Sequence, residues 1–501
     1  MTHKERSFLM INSITYFQEN IVPKLEKTFL TYSSDMTKIA ELIQGVTECM
    51  VQFGLCLLAE ELEGYDIAFC EKKQLRQDWY VVRKEKASIL TSLGTLHYEK
   101  TLFRNKKTGI YKCFLDDAMG LLPHTRMTED AEARILEETV QTSYEKGGKH
   151  VSISTIESVS RETVKNKIHK LNFPKKRNYP EKKKVVEYLY IDADEDHISL
   201  QFRKEKGDIV ENNHHQKNNG AIAKLIYVYE GIEKESEKSD RNCLINPYYF
   251  CRVCEGEENK KLWDEVYEYI EHTYDLEQVK KIYLNADGGG WITSGMRRMA
   301  GITYVLDEFH LSKYLKKITS YLGEDAEQRK EELKKIIRTK NKTEFEKKVE
   351  ELKKSVKYPK GIKKMDEGKK YLLNNYTAAK RRLLRKDDVK GSSTESHVSH
   401  VLSSRMSSRP MGWSKKGMEK MAQLRAYYYN GGDMLDLVRY QKEQEETSIA
   451  CEEVIYRSNE MFAMERKRKK ELGTLADIPT YSIPYVQIKK IANFKNQICG
   501  L

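Results

Sequence analysis

Apolar residues along this chain follow a helical period near both ends and a strand period between them. Val22, Leu25 and Phe29, then Ile39, Leu42 and Ile43, recur every three to four positions and predict helices from about Ile11 to Asp66. The texture then changes. Trp79–Val82, Ser88–Leu90, Leu96–Tyr98 and Ile110–Phe114 are short aromatic and β-branched runs, parted by Gly94 and by the turn Asn105–Gly109. They predict a small antiparallel meander. Helical spacing resumes at Glu132 and reaches Tyr144, a Gly-Gly break stands at 147–148, and a second helix runs from Ser160 to His169 with Ser160 as its N-cap.

Three strands are predicted next, Val185–Ile191, His197–Phe202 and Ala221–Tyr229. A helix over Leu262, Trp263, Val266, Tyr269 and Ile270 precedes the run Lys281–Ala286, which ends on Asp287 and three glycines. Another helix begins near Gly295, and a last strand, Ile302–Leu306, ends in Asp307-Glu308-Phe309-His310. This β-β-β-α-β-α-β order is that of a ribonuclease-H-like sheet, in which the first and fourth strands are parallel neighbours. It would set Asp194 beside Asp287.

From Leu311 to about Leu384 the chain is Lys/Glu-rich, with Leu333, Ile336 and Ile337 and then Phe345, Val349 and Leu352 at helical spacing. No a/d heptad persists there, so an all-helical insertion is predicted, not a coiled coil. A helix from Thr394 places Glu395, Val398, Leu402 and Arg405 near one face.

The expected fold class is therefore α/β, multidomain α+β overall. A ribonuclease-H-like mixed five-stranded catalytic sheet carries an all-helical insertion, after an N-terminal helical and helix-turn-helix region with the small meander. The expected boundaries are 1–173 for the N-terminal region, with the helix-turn-helix at about 132–171, and 174–184 for a basic linker. The catalytic domain takes 185–310 and 391–430 around the insertion at 311–390, and a tail fills 431–501.

Composition narrows the function. The 501 residues carry a formal charge of +12, which favours a polyanionic partner. No signal-peptide pattern opens the chain, and no apolar run is read as approaching the length of about 18 residues that spans a bilayer. A cytoplasmic, nucleoid-associated protein with no membrane partner is expected. Nine Cys lie without a framework, and Cys251-x-x-Cys254 has no second pair at zinc spacing, so reduced thiols are expected.

The candidate chemistry sits on acids. Asp287 at a strand end with only Gly behind it leaves room for an ion and a bulky substrate, although Asp-Gly-Gly-Gly alone also reads as a turn. Two carboxylates on adjacent strand ends and a third on a following helix can hold two Mg²⁺ ions, with Mn²⁺ as a substitute. Such ions, about 4 Å apart, serve phosphoryl transfer by water or by a DNA 3′-hydroxyl. Asp192 and Asp194 face the same side of a strand, and either could be the first ligand, Asp194 being nearer the strand end. Arg161, Lys165, Asn166 and Lys167 on the second helix suit a DNA groove, and Lys175 and Lys176 in the linker suit phosphates. Arg405 and Arg409 could grip phosphates or be merely solvated, while His397 and His400 at i, i+3 suit helix packing better than a metal pair.

The motifs Leu189-Tyr190-Ile191-Asp192-Ala193-Asp194, Tyr283–Ile292 and Glu395-Ser396-His397-Val398-Ser399-His400 with Arg405-Met406 resemble those of the DDE transposases of bacterial insertion sequences, the ISLre group in particular, which is related to Mutator-like transposases. Asp307-x-x-His310 matches the Cys/Asp-x-x-His element of Mutator-like enzymes. The resemblance implies Asp194, Asp287 and Glu395 as metal-binding triad. Asp307 and His310 either serve the structure or orient the scissile phosphate, which makes His310 a catalytic candidate. It implies Mg²⁺-dependent cleavage and strand transfer on double-stranded DNA, both terminal inverted repeats and target, by a homo-oligomer, a dimer on the DNA. Two other readings stand beside it. A catalytically inactive DNA-binding derivative would not need the three acids, and a charged helical scaffold would explain 311–384 but not the strand-borne carboxylates.

Overall fold

The computed structural model describes residues 11–444 except 34, 72–77, 123, 154–156, 175–178, 202–209, 212–216, 219, 300, 387, 392–393 and 410. Contacts divide the chain into a unit of residues 1–439 and a second of 440–501. In the first unit, helices α1 (Val22–Tyr32) and α2 (Ile39–Glu71) pair and lead into a hairpin of β1 (Trp79–Leu90) and β2 (Thr95–Asn105), with β3 (Tyr111–Lys112) at its edge. The expected meander is thus a long two-stranded ribbon with a stub, because Arg83–Ala87, polar by sequence, pairs outward along β2.

Helices α3 (Glu129–Gln141), α4 (Tyr144–Lys149) and α5 (Arg161–Lys170) follow. Ser160 caps α5, its hydroxyl accepting from the Thr163 amide at 3.2 Å. Gly147 and Gly148, read from sequence as a break, lie inside α4. A Cβ on Gly148 would stand 2.1 Å from the Val159 carbonyl oxygen, so these glycines let α4 close against its neighbours.

The central sheet is mixed, in the order β6-β5-β4-β7-β8, where β4 is Tyr188–Ser199, β5 Gly220–Tyr229, β6 Tyr248–Arg252, β7 Lys281–Ala286 and β8 Ile302–Leu306. β4 runs antiparallel to β5 and parallel to β7, β5 antiparallel to β6, and β7 parallel to β8. The expected number of strands holds, but two assignments change. Val185–Ile191 and His197–Phe202 merge into the single strand β4, and a strand missing from the expectation, β6, takes the outer place. The acidic run Asp192–Asp196 stands between the two expected strands, and its backbone pairs with β5 throughout. The aromatic run Tyr248-Tyr249-Phe250 is a strand by composition, masked by the adjacent Cys-x-x-Cys. Those cysteines are free thiols, and burial pushes the Cys251 thiol far up.

Alternation on the strands separates two layers. Leu189, Ile191, Ala193, Ile226, Val228 and Leu284 face helix α6 (Glu258–Thr273). Tyr190, Leu225, Tyr227, Tyr229 and Tyr283 face the opposite way. After β7 comes the short helix α7 (Gly290–Met296), and after β8 comes α8 (Glu308–Thr319). The insertion folds as α9 (Ala326–Thr339), α10 (Lys342–Lys353), α11 (Pro359–Asn374) and α12 (Tyr376–Leu384), around a core of its own with Leu333, Phe345 and Met365. It is all-helical, as its spacing predicts. Helix α13 (Thr394–Val398) and α14 (Lys415–Tyr429) then return to the tyrosine face of the sheet.

That second layer is one continuous core. Ile135, Leu136, Val140, Val164 and Ile168 of α3 and α5 share it with Tyr190 and Leu225 of the sheet and with Met418, Met421 and Leu424 of α14. Met434, Leu437 and Val438, beyond the expected tail boundary, belong to it too. The helix-turn-helix candidate is therefore packed on the sheet. Cutting the chain after Pro180 should leave 129–171 without cover while the β1–β2 hairpin keeps its contacts with α2. The expected result is amide exchange or proteolysis within 129–171 at least ~100-fold faster than in the full chain, read by mass spectrometry.

Candidate functional site

Strand register builds the site. Ala286 of β7 pairs with Ala193 of β4 on one side and with Leu306 of β8 on the other. The next residue on each strand is an aspartate, so Asp194, Asp287 and Asp307 form a row across three neighbouring strands. Because Tyr190, Tyr283 and Val305 face the tyrosine layer, residues two or four further on face it as well. All three carboxylates therefore emerge on the face that α13 covers.

Each is held differently. Asp194 is buried, and its Oδ1 accepts from the Glu195 amide at 2.8 Å. Burial, with repulsion from Asp287 and Asp307, pushes its carboxyl up to about 7 against the pull of His310 and that amide. Asp287 is partly exposed, and its Oδ1 accepts from the Gly289 amide at 2.8 Å. Between them in sequence, Gly288 has φ +85°, and a Cβ there would stand 2.7 Å from both Asn375 Oδ1 and Tyr304 Oη. Tyr371 donates to the Asp287 carbonyl at 2.5 Å. The insertion, through Tyr371 and Asn375, thus clamps the loop that carries the second acid. Asp307 caps α8, its Oδ2 accepting from the His310 amide at 3.0 Å and lying 3.2 Å from His310 Nδ1. Burial alone would lower His310, but Asp307, Asp194 and Asp287 outweigh it and raise its pKa. The Asp307-x-x-His310 pair is a unit, its imidazole in the field of the acid row.

Asp192 is settled by its partners. It is fully buried and accepts from Asn285 Nδ2 at 2.6 Å, Tyr227 Oη at 2.8 Å, Tyr229 Oη at 3.1 Å and Thr394 Oγ1 at 3.3 Å. Its lone pairs are committed below the site, although burial still pushes it up to about 6. Asn285 Oδ1 in turn accepts from Arg382 Nη2 at 2.6 Å, and Arg382 Nε donates to the Leu306 carbonyl at 2.9 Å. Thr394 Oγ1 also lies 3.1 Å from Asp307 Oδ1. One hydroxyl therefore joins α13 to the carboxylates of β4 and of the β8 end.

Glu395 follows Thr394 directly and is exposed. Among the described residues no three His, Cys, Asp or Glu side chains are grouped so as to hold one metal ion. The donor chemistry that is present, carboxylate oxygens on neighbouring strand ends, suits a hard cation. A π-helical turn at Ser399–Ser403 follows α13, and Val398, Leu402 and Arg405 are buried while Glu395 is not.

The expected DNA contacts divide. Arg161, Asn166 and Arg409 are exposed. Lys165 is paired with Glu162, and Lys167 with Glu132 of α3. Lys175 and Lys176 lie outside the described residues. Arg405 departs from the expectation. It is buried, its Nε donates to the Thr139 carbonyl at 3.3 Å, and its guanidinium lies 4.9 Å from the Trp413 ring centre. Burial lowers it to about 10, and it fastens α3 to the chain after α13 instead of meeting phosphate. His397 packs between aromatic rings, 4.8 Å from that of Tyr227, and burial lowers it to about 4, which fits packing. Arg382, Asn285, Tyr371 and Thr394 were not legible beforehand. Only Thr394, adjacent to Glu395, and Asn285, inside the Tyr283–Ile292 motif, carried any hint of their place.

The fold and the acid row define an α/β protein with a carboxylate site at the ends of parallel strands. The chain belongs to the uncharacterised protein family UPF0236, whose model matches residues 33–444. Its relatives include a UPF0236 protein of Caldanaerobacter subterraneus subsp. tengcongensis, 34% identical over 400 residues, spanning 80% of this chain and 79% of that one. Another from the same organism, 33% identical over 419 residues and spanning 83% and 84%, has a name that joins eleven designations. A UPF0236 protein of Streptococcus gallolyticus is 26% identical over 404 residues, spanning 78% and 83%. Among solved structures, the Drosophila P element transposase strand transfer complex is similar at 10% identity over 63% of this chain and 80% of that one, with a TM-score of 0.21. So slight a likeness carries no argument.

Two outcomes follow from the network. Arg382→Met strands the Asn285 and Leu306 oxygens in the interior and should destabilise the chain by about 3 kcal/mol in urea unfolding. Asp192, Asp194 and His310 all hold protons in the folded state at pH values where the unfolded chain has released them. Stability without divalent ions should therefore fall as pH rises from the ordinary carboxylate value of 3.8 through about 7. Asp194→Asn should flatten that slope in thermal unfolding at pH 5 and 7.5 in chelator.

Proposed function

We propose that this chain is a DDE-type transposase of a mobile DNA element, binding the element's ends and catalysing their cleavage and transfer. One observation carries the reading. The Ala193–Ala286 pairing puts Asp194 and Asp287, 93 positions apart in sequence, at the same level of adjacent parallel strands. The antiparallel β6-β5-β4 edge joined to parallel β7 and β8 supports a ribonuclease-H-like sheet. The Asp307–His310 pair and a glutamate on the helix docked by Thr394 support it further. A relative named with eleven designations from one organism fits a sequence copied within a genome.

In this reading Asp194 and Asp287 would hold Mg²⁺ or Mn²⁺, with Glu395 completing the ligand set. The bound ions would supply Lewis-acid activation of the attacking oxygen and charge neutralisation at the leaving one. The chain's own residues set the geometry. Arg382 and Asn285 hold Asp192 and the β7 end, Tyr371 holds the Asp287 loop, and Thr394 docks α13. Exposed Arg161, Asn166 and Arg409 are offered to double-stranded DNA, whose phosphate contacts position it independently of the acids.

Asp287→Asn keeps the volume and removes the charge. With DNA carrying the sequences that flank the gene, it should lose Mg²⁺-dependent nicking and strand transfer at least ~1000-fold while binding in a mobility shift persists. Glu395→Gln should behave alike. Glu350→Gln, whose partly exposed ion pairs with Lys353 and Lys369 lie in the insertion away from the acids, should cut normally. Retained cutting in Asp287→Asn would overturn the assignment, and a wild-type chain that binds but never cuts would favour the inactive DNA-binding derivative.

A further inference from the structure

The N-terminal helix α2 carries a surface that the acid site does not use. Among the described residues it is the one helix long and apolar enough to cross a membrane, and only a small share of its apolar window is buried. This corrects the expectation that no apolar run reaches that length. Glu48, Gln44 and Gln52 interrupt the sequence by eye, yet Leu, Ile, Val and Cys on every turn carry the window's mean. Ile39, Ile43, Met50, Leu58 and Tyr65 recur along one side of the helix, all exposed, with Ile43 at 59%. Leu30 of α1 stands at 81%.

The other sides of α2 are occupied. Ser13 donates its amide to Glu60 Oε2 at 2.7 Å, and Lys24 Nζ donates to Gln52 at 2.8 Å. Asp66 is buried and accepts from the Thr101 amide at 3.1 Å on β2, and Glu63 accepts from the Glu99 amide at 2.8 Å. Crossing a bilayer would strip these contacts from the helix. Charge excludes two further partners. From Ile39 to Glu71 there are seven acidic residues and no Lys or Arg, in a chain of net charge +12. Neither nucleic acid nor an anionic membrane surface suits that helix.

We propose that the exposed stripe of α2 is a self-association surface, its occupant the same stripe of a second copy of this chain in a two-fold, antiparallel helix pair. The acids lie mostly off the stripe, and five of the seven fall at or after Glu60. Antiparallel packing sets that acid-rich half beside the partner's acid-poor half. The area is sufficient. Five large apolar side chains about half exposed on the stripe, together with Leu30 of α1, present on the order of 500 Å², which matches the apolar share of a standard patch of about 800 Å² per partner. The two-fold axis makes the surface self-complementary.

Light scattering after size exclusion and sedimentation velocity of the full chain test this. The wild type should be a dimer at micromolar concentration. Ile43→Glu with Met50→Glu should be a monomer there, its dissociation constant raised about 100-fold or more, since four carboxylates would be buried per dimer. Both positions are exposed, so the thermal midpoint should hold. If the double variant unfolds, Ile43→Ser with Met50→Gln takes its place and should also weaken the dimer. A monomeric wild type, or a variant that keeps the dimer mass, overturns the proposal. Flotation with phosphatidylethanolamine–phosphatidylglycerol vesicles that the same substitutions abolish would assign the stripe to a membrane and overturn it equally.

Discussion

The hydrogen-bond register of β4, β7 and β8 is the constraint on which the site depends. A slip of one residue in β7 would turn Asp287 to the α6 layer and bring Ala286 to the site face. The register is held because each strand buries a different set on its two faces, with tyrosines and polar groups on one and small aliphatics on the other. Three carboxylates in a row are the electrostatic consequence. Burial and the neighbouring carboxylates push Asp194 up, and against the effect of burial the same carboxylates raise the pKa of His310.

Beneath that row lies a neutralising layer. Asp192 sits on the same strand and face as Asp194 but takes four hydrogen bonds, and Arg382 reaches it through Asn285. The two aspartates two positions apart are thereby separated into a structural acid and one that faces the site. Arg382 comes from α12, so the insertion is more than a solvated appendage. It ties the ends of β7 and β8 to each other and, with Tyr371 and Asn375, fixes the loop behind Asp287. Removal of the insertion would leave the acids present and their backbone unsupported.

The helices before the sheet have two attachments of different kind. Those of 129–170 are built into the sheet's own core and are fastened by Arg405 and Arg425, buried guanidiniums that bond backbone carbonyls of other elements. Those of 22–71 pack on the β1–β2 hairpin through a small separate cluster and leave a long apolar side uncovered.

By itself the sequence determined the helical insertion, the Ser160 cap and the strands ending in Asp287 and Asp307, because these follow from local periodicity and turn chemistry; the count of five strands held only because one merged pair and one missed strand offset each other. It placed Asp194 and Asp287 together only through an assumed strand order, which the pairing of Ala193 with Ala286 bears out. Tertiary structure alone decided that Asp192 is the acid enclosed by side-chain donors, since these are Tyr227, Tyr229, Asn285 and Thr394, none of them near in sequence. It also decided that Arg405 is interior and Arg409 exposed. On a helix the two are a turn apart and equally polar, and burial depends on Trp413 and Thr139 arriving from elsewhere. The exposed stripe of α2 is of the same kind. Its apolar residues were visible as a helix, but whether a neighbour covers them is a property of packing, which no local pattern contains.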